Sequence, residues 1–265
     1  MFMDRITKAV ERTRQEKETA LQPGDVLIGN TQDASEISRV EVSQELLRQN
    51  RIFLGSEAGD YAHAYKVLRT RVWHQMRTNG WHSLGVTSAN PGEGKTLTAT
   101  NLAISLARME IGRKVVLVDL DMRRPSVHRY LGFRPEYGIS DFLLSGMSLG
   151  KILVDIGIER FAVLPGCASF ANSSEILSSG RMVQLMNEIK RYFPSRVVIF
   201  DLPPILAADD VLVVAPHINA FLLVIEEGRS PAKDVGKAAE LLKDSNIVGT
   251  VLNKTPEAVQ QYYGY

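Results

Sequence analysis

Apolar residues along this chain cluster into short runs separated by polar turns. Strand-like runs cover Ser83–Ser88, Lys114–Asp119, Phe161–Leu164, Val197–Asp201, Phe221–Ile225 and Ile247–Asn253. They are rich in β-branched residues and alternate little between apolar and polar, as strands covered on both sheet faces do. Helical stretches lie between them. The clearest places Met182, Leu185, Met186, Ile189 and Phe193 on one face at i, i+3, i+4, i+7 and i+11. Strands alternating with helices predict an α/β fold with a doubly wound, mostly parallel sheet flanked by helices. Such folds hold their ligands at the carboxyl ends of the strands.

The regular pattern starts late. Residues 1–20 are densely charged, with a weak apolar stripe at Ile6, Ala9 and Val10. Residues 21–60 carry turn formers around one short helix, Ser43 to Arg51. Tyr61 to Met76 reads as a basic helix. The expected organisation is an N-terminal extension over 1–60 with little core of its own, a P-loop domain over 61–253, and a flexible tail over 254–265.

Composition narrows the function classes. Of 265 residues 45% are hydrophobic and 23% charged, the balance of a globular protein. A net charge of +1 gives no support to broad electrostatic binding of nucleic acid or membrane. No apolar run approaches the ~18 residues of a membrane span. The first residues lack the apolar core of a signal peptide. The single cysteine, Cys167, fits a reducing cytoplasm and reads as a structural thiol. The five histidines show no zinc spacing.

The first chemical signal is Ala89-Asn90-Pro91-Gly92-Glu93-Gly94-Lys95-Thr96, between a predicted strand and a predicted helix. It reads as a P-loop. Glycines let backbone N–H groups turn toward phosphates, Lys95 supplies a cation, and the Thr96 hydroxyl can ligate Mg²⁺. The N-terminus of the next helix adds partial positive charge.

Two buried strands then end in acids. Val115–Val118 runs into Asp119-Leu120-Asp121-Met122-Arg123, and Val197–Phe200 runs into Asp201-Leu202-Pro203-Pro204. The paired acids Asp119 and Asp121, with Arg123, can divide metal orientation from proton acceptance. Asp201 suits an Mg²⁺-directed role. Asn253, at the last strand's end, can meet a nucleotide base or serve a turn; the residues leave both open. The chain closes on Gln260-Gln261-Tyr262-Tyr263-Gly264-Tyr265, three of its eight tyrosines in four positions.

Together these motifs resemble the bacterial tyrosine kinases, relatives of the deviant-Walker ATPases, over roughly residues 61–265. Asn172-Ser173-Ser174-Glu175-Ile176-Leu177 is similar to the family's Asn-Pro-x-Glu-Leu-Leu element, with Ser173 in place of proline. The resemblance implies ATP or ADP on Asn90, Gly92, Glu93, Gly94, Lys95, Thr96, Leu97 and Asn253, with Mg²⁺ held by Thr96, Asp119 and Asp201. It implies catalysis by Lys95, Asp119 as base, Asp121 and Arg123, and autophosphorylation of Tyr262, Tyr263 and Tyr265. It further implies a role in exopolysaccharide or capsule synthesis, in the cytoplasm. A separate membrane chain-length regulator would recruit and activate the kinase through its cytoplasmic segment; neither membrane insertion nor nucleic acid is expected.

The family's Glu-x-x-Arg-x-x-Arg helix, which links subunits in a ring, corresponds here to His63 through Arg69, with His63 for the acid and Lys66 for the first arginine. Lys66 and Arg69 are the oligomer-contact positions so implied, although lysine lacks arginine's two-pronged geometry. The alternative is a nucleotide-switched ATPase of the septum-site type. Those use a signature lysine where this chain has Asn90.

Overall fold

A computed structural model describes residues 37–54, 60–109 and 112–255. Eight strands form one sheet: β1 (Ser38–Arg39), β2 (Ser83–Ser88), β3 (Lys114–Asp119), β4 (Val154–Asp155), β5 (Phe161–Leu164), β6 (Arg196–Asp201), β7 (Ala220–Glu226) and β8 (Ile247–Asn253). Their spatial order is β1-β4-β5-β3-β6-β2-β7-β8. Every pairing is parallel except β4 with β5.

The helices are α1 (Gln44–Gln49), α2 (Asp60–Thr78), α3 (Lys95–Ala107), α4 (Val127–Leu131), α5 (Ile139–Ser145), α6 (Leu149–Ile152), α7 (Ser173–Leu177), α8 (Gly180–Tyr192), α9 (Asp210–Val214) and α10 (Ala232–Leu241). Alternate residues of the central strands feed two cores, as a sheet covered on both faces requires. On one face Val116, Val118, Val198 and Phe200 meet α5, α8 and α10. On the other Val115, Leu117, Val197 and Ile199 meet α2 and α3. The α8 stripe behaves as its spacing predicts: Met182, Leu185 and Ile189 are fully buried.

Three expectations need correction. The described part of the N-terminal extension is not set apart from the domain but lends residues to the domain's own core. Leu47 and Ile52 are buried with Val127 and Leu131, each contributing about 1.5–3 kcal/mol. Asn50 donates to the Arg129 and Tyr130 carbonyls, and the Asn101 side chain brackets the Arg51 carbonyl and the Phe53 N–H. Two-residue strands such as β1 and β4 carry no period, so the pattern could not reveal them.

Strand β8 is the second departure. It forms the sheet edge, and Leu252 is 55% exposed, so it is not covered on both faces. The third is Lys254, expected in the tail, whose Nζ is fixed against the body by the Gly92 carbonyl and the Glu226 carboxylate.

Candidate nucleotide and phosphotransfer site

Strands β2, β6 and β3 are spatial neighbours, and at their carboxyl ends they deliver the P-loop, Asp201 and Asp119 respectively. The β3–β6 register sets Asp119 directly opposite Asp201. Both side chains are fully buried. Two carboxylates one strand spacing apart disfavour each other's ionisation, and burial disfavours both. Burial, then the Asp201 charge, pushes Asp119 up to about 8. Burial lifts Asp201 to about 6, against lowering by Lys95 and the Thr96 hydroxyl.

Their hydrogen bonding differs. Asp119 Oδ2 accepts the N–H groups of Ser126 and Val127 at 2.9 and 3.0 Å, and Oδ1 accepts that of Asp121 at 3.3 Å. Asp119 therefore staples its own loop into the crevice. Neither Asp201 oxygen has a hydrogen-bond partner. The Thr96 hydroxyl is near enough to lower the Asp201 pKa, but its hydrogen bond runs to Ser126 Oγ at 3.2 Å. A buried carboxylate left without donors is costly, and a cation relieves it. The donor set fits Mg²⁺, a hard ion that prefers oxygen and retains phosphate or water ligands. Among the described residues no three His, Cys, Asp or Glu side chains converge as a metal site, so such an ion would draw its remaining oxygens from phosphates.

Lys95 lies where the P-loop turns into α3. Gly92 and Gly94 adopt φ of 86° and 95°, a backbone region that side chains resist. Lys95 Nζ reaches Asp121 Oδ2 at 2.8 Å, and both side chains are nearly buried. Burial lowers the lysine pKa, but the carboxylates of Asp201, Asp121 and Asp119 outweigh it and raise it. The fold brings these four residues of the sequence pattern together.

The loop's outer rim is held by side-chain contacts within the protein. Glu93 turns inward, accepting the Asn90 N–H at 3.1 Å and the Ser230 hydroxyl. Asn253 donates Nδ2 to the Glu93 carbonyl at 2.9 Å, and Lys254 donates to the Gly92 carbonyl at 2.8 Å. The Asn90 amide reaches Asp234 at 3.3 Å. The side chains of Glu93, Asn253 and Asn90 thus brace the loop from outside. Leu97 packs against the α2–α3 core.

Arg123 leaves the crevice floor toward α7 and α9. Its Nε donates to Ser173 Oγ at 3.0 Å and lies 3.6 Å from Asp210. Asp210 is fully buried, and burial raises its pKa. Proline has no hydroxyl, so the Ser173 contact depends on serine at this position.

Lys66 is exposed on α2, whereas Arg69 donates to the Ser105 carbonyl at 2.8 Å and so ties α2 to α3. Tyr262, Tyr263 and Tyr265 lie outside the described residues. Burial and Asp141 push the exposed Cys167 thiol up, away from the thiolate a nucleophile needs. Sequence reasoning missed Ser126, Asp210, Ser230, Asp234 and Lys254. Two had a local cue: Ser126 follows the Asp-x-Asp-x-Arg segment and Lys254 follows Asn253. The other three reach the site only through the tertiary fold.

A P-loop backed by two strand-end acids in a parallel sheet defines a nucleotide-binding protein of the deviant-Walker class. The CobQ/CobB/MinD/ParA nucleotide binding domain family matches residues 84–262. The tyrosine-protein kinase YwqD of Bacillus subtilis is 32% identical over 203 residues, 76% of this chain and 84% of YwqD. The solved kinase domain of Escherichia coli tyrosine kinase ETK superposes with a TM-score of 0.69 at 28% identity, covering 86% of this chain and 93% of that one. This chain spans only 28% of the full-length E. coli K12 Etk. The septum site-determining protein MinD of Pyrococcus horikoshii, complexed with Mg-ADP, shares the fold at a TM-score of 0.54 and 22% identity, covering 64% of this chain and 69% of its own. The chain belongs to the bacterial tyrosine kinase family.

Proposed function

We propose that this chain is an ATP-dependent protein-tyrosine autokinase that transfers the γ-phosphate to the tail tyrosines Tyr262, Tyr263 and Tyr265. The observation that carries this reading is the facing pair Asp119 and Asp201, buried beside Lys95 and the P-loop. A bound Mg²⁺ would neutralise charge on the phosphate oxygens. Thr96 and Asp201 would hold that ion, Asp201 through a carboxylate that has no hydrogen-bond partner. Lys95 gives up Asp121 for the phosphates, which frees the Asp121 carboxylate to face the acceptor.

Asp119 accepts the tyrosine proton at Oδ1, the oxygen with the weaker 3.3 Å contact. In the nucleotide-free protein burial and the Asp201 charge raise its pKa to about 8, and a cation beside the pair would favour the carboxylate that accepts the proton. Arg123, seated on Ser173, lines the acceptor side.

The wider setting follows from the family. The chain regulates exopolysaccharide or capsule synthesis from the cytoplasm, with the cytoplasmic segment of a membrane chain-length regulator as partner and Lys66 at a contact between copies. No described helix is long and apolar enough to cross a membrane. The test is the triple variant Tyr262→Phe, Tyr263→Phe, Tyr265→Phe, incubated with ATP·Mg²⁺ and the partner segment. Tail phosphorylation should vanish while nucleotide affinity stays unchanged. Undiminished phosphotyrosine elsewhere on the chain would sink the assignment of the tail as acceptor.

A further inference from the structure

The sheet edge opposite the nucleotide crevice carries its own charge pattern. Arg160, Lys114, Arg196 and His82 stand at or immediately before the first residues of β5, β3, β6 and β2, four strands adjacent in the sheet. Lys114 and Arg196 are direct register partners, and the Val115 N–H bonds the Arg160 carbonyl. Arg113 precedes Lys114, and Arg113, Arg196 and Lys190 all depress the His82 pKa, after burial. Like charges directly opposite on neighbouring strands are unfavourable.

Nearby acids do not balance this row. Glu159 lies beside Arg160 and Glu188 pairs with Arg191. Among the described residues no carboxylate lies within ion-pair distance of Arg113, Lys114, Lys190 or Arg196. Aromatic rings hold two of these cations instead: the Arg113 guanidinium sits 5.3 Å from the Trp73 ring and Lys114 Nζ 6.0 Å from the Phe193 ring. Trp81, the chain's other tryptophan, lies next to His82.

We propose that this strand-start edge is a docking surface for an anionic lipid bilayer. Three features favour a bilayer over an acidic peptide. The cations follow a row across adjacent strands, which suits a flat field of charge. Tryptophans beside cations are the pairing that membrane–water interfaces enrich. The row also lies at the opposite end of the strands from the P-loop, so a docked surface leaves the crevice open. The docking is peripheral and needs no inserted helix.

The test is co-sedimentation of the full chain with phosphatidylserine/phosphatidylcholine vesicles, and with phosphatidylcholine alone, at low and high salt. Binding should require the anionic lipid and weaken as salt screens it. Each cation near such a surface is worth about five-fold in partitioning, so Arg113→Gln, Lys114→Gln, Lys190→Gln together should weaken binding about 100-fold. Lys190→Gln alone, an exposed helix position, should cost about five-fold and controls for misfolding. Nucleotide affinity should not change in either variant. The proposal is overturned if the wild-type chain ignores anionic vesicles, if both variants bind them as tightly as wild type, or if the chain binds polyglutamate in preference to them.

Discussion

The two ends of the central strands are chemically opposite. β3 and β6 begin on Lys114 and Arg196 and finish on Asp119 and Asp201. At the finishing end the carboxylates are fully buried, burial lifts both pKa values, and the Asp201 charge lifts Asp119 further. At the starting end they are exposed or half-buried, and rings and carbonyls moderate them. Burial makes the difference. A carboxylate pair in a low-dielectric floor demands a cation at a fixed point, whereas cations at a wet rim repel weakly and suit a diffuse partner. The net charge of +1 conceals this separation.

Changes at the buried end should have the largest effects. Lys95→Met removes the phosphate cation and should lower phosphotransfer by on the order of 10²–10³-fold or more, read as phosphotyrosine formed per minute. Asp201→Asn should lower it by a similar factor through loss of the Mg²⁺ seat. It should also let Asp119 titrate lower, since the Asp201 charge is the second cause of its raised value. Carboxyl NMR shifts of the nucleotide-free protein would show this.

The pH dependence follows from the same pair. With Asp119 at about 8 and Asp201 at about 6, the folded nucleotide-free protein holds protons that the unfolded chain has released. These groups therefore lower stability as pH rises from about 4 to 8. The midpoint of thermal unfolding should fall across that window, and Mg²⁺·nucleotide binding should tighten and release protons. Titration calorimetry in buffers of different ionisation enthalpy counts them. The smallest effect belongs to the loop rim: Lys254→Ala removes the hydrogen bond to the Gly92 carbonyl together with the Glu226 pairing that holds the lysine there, and should weaken nucleotide binding only several-fold, about 1 kcal/mol.

Most of the buried end was legible in the sequence. Each part combines a β-branched run with a polar residue at its carboxyl terminus, and the parallel sheet converts that pattern into a convergence. Asp119 and Asp201 needed only the inference that their strands are neighbours. The rim was not legible. Glu93 looks like a loop residue that faces the ligand, yet Ser230, far along the chain, turns it inward. Asn253 was left between a base contact and a turn, and its hydrogen bond to the P-loop backbone depends on a residue far along the chain. The starting-end cations looked like ordinary polar boundaries, because a charge before a strand acquires meaning only when its neighbours in the sheet are known. Leu47 and Ile52 were missed as core because a six-residue helix and the turn after it are too short to show a period.

The distinction between a kinase and a switch ATPase rests on where the phosphate goes. The most direct measurement incubates the full chain, with the cytoplasmic segment of the proposed membrane partner, in γ-labelled ATP and Mg²⁺, and divides the label between protein tyrosine and inorganic phosphate. The account predicts label on Tyr262, Tyr263 and Tyr265, dependent on Lys95 and Asp201. Hydrolysis that releases all of the label as inorganic phosphate, with none on tyrosine, would contradict it.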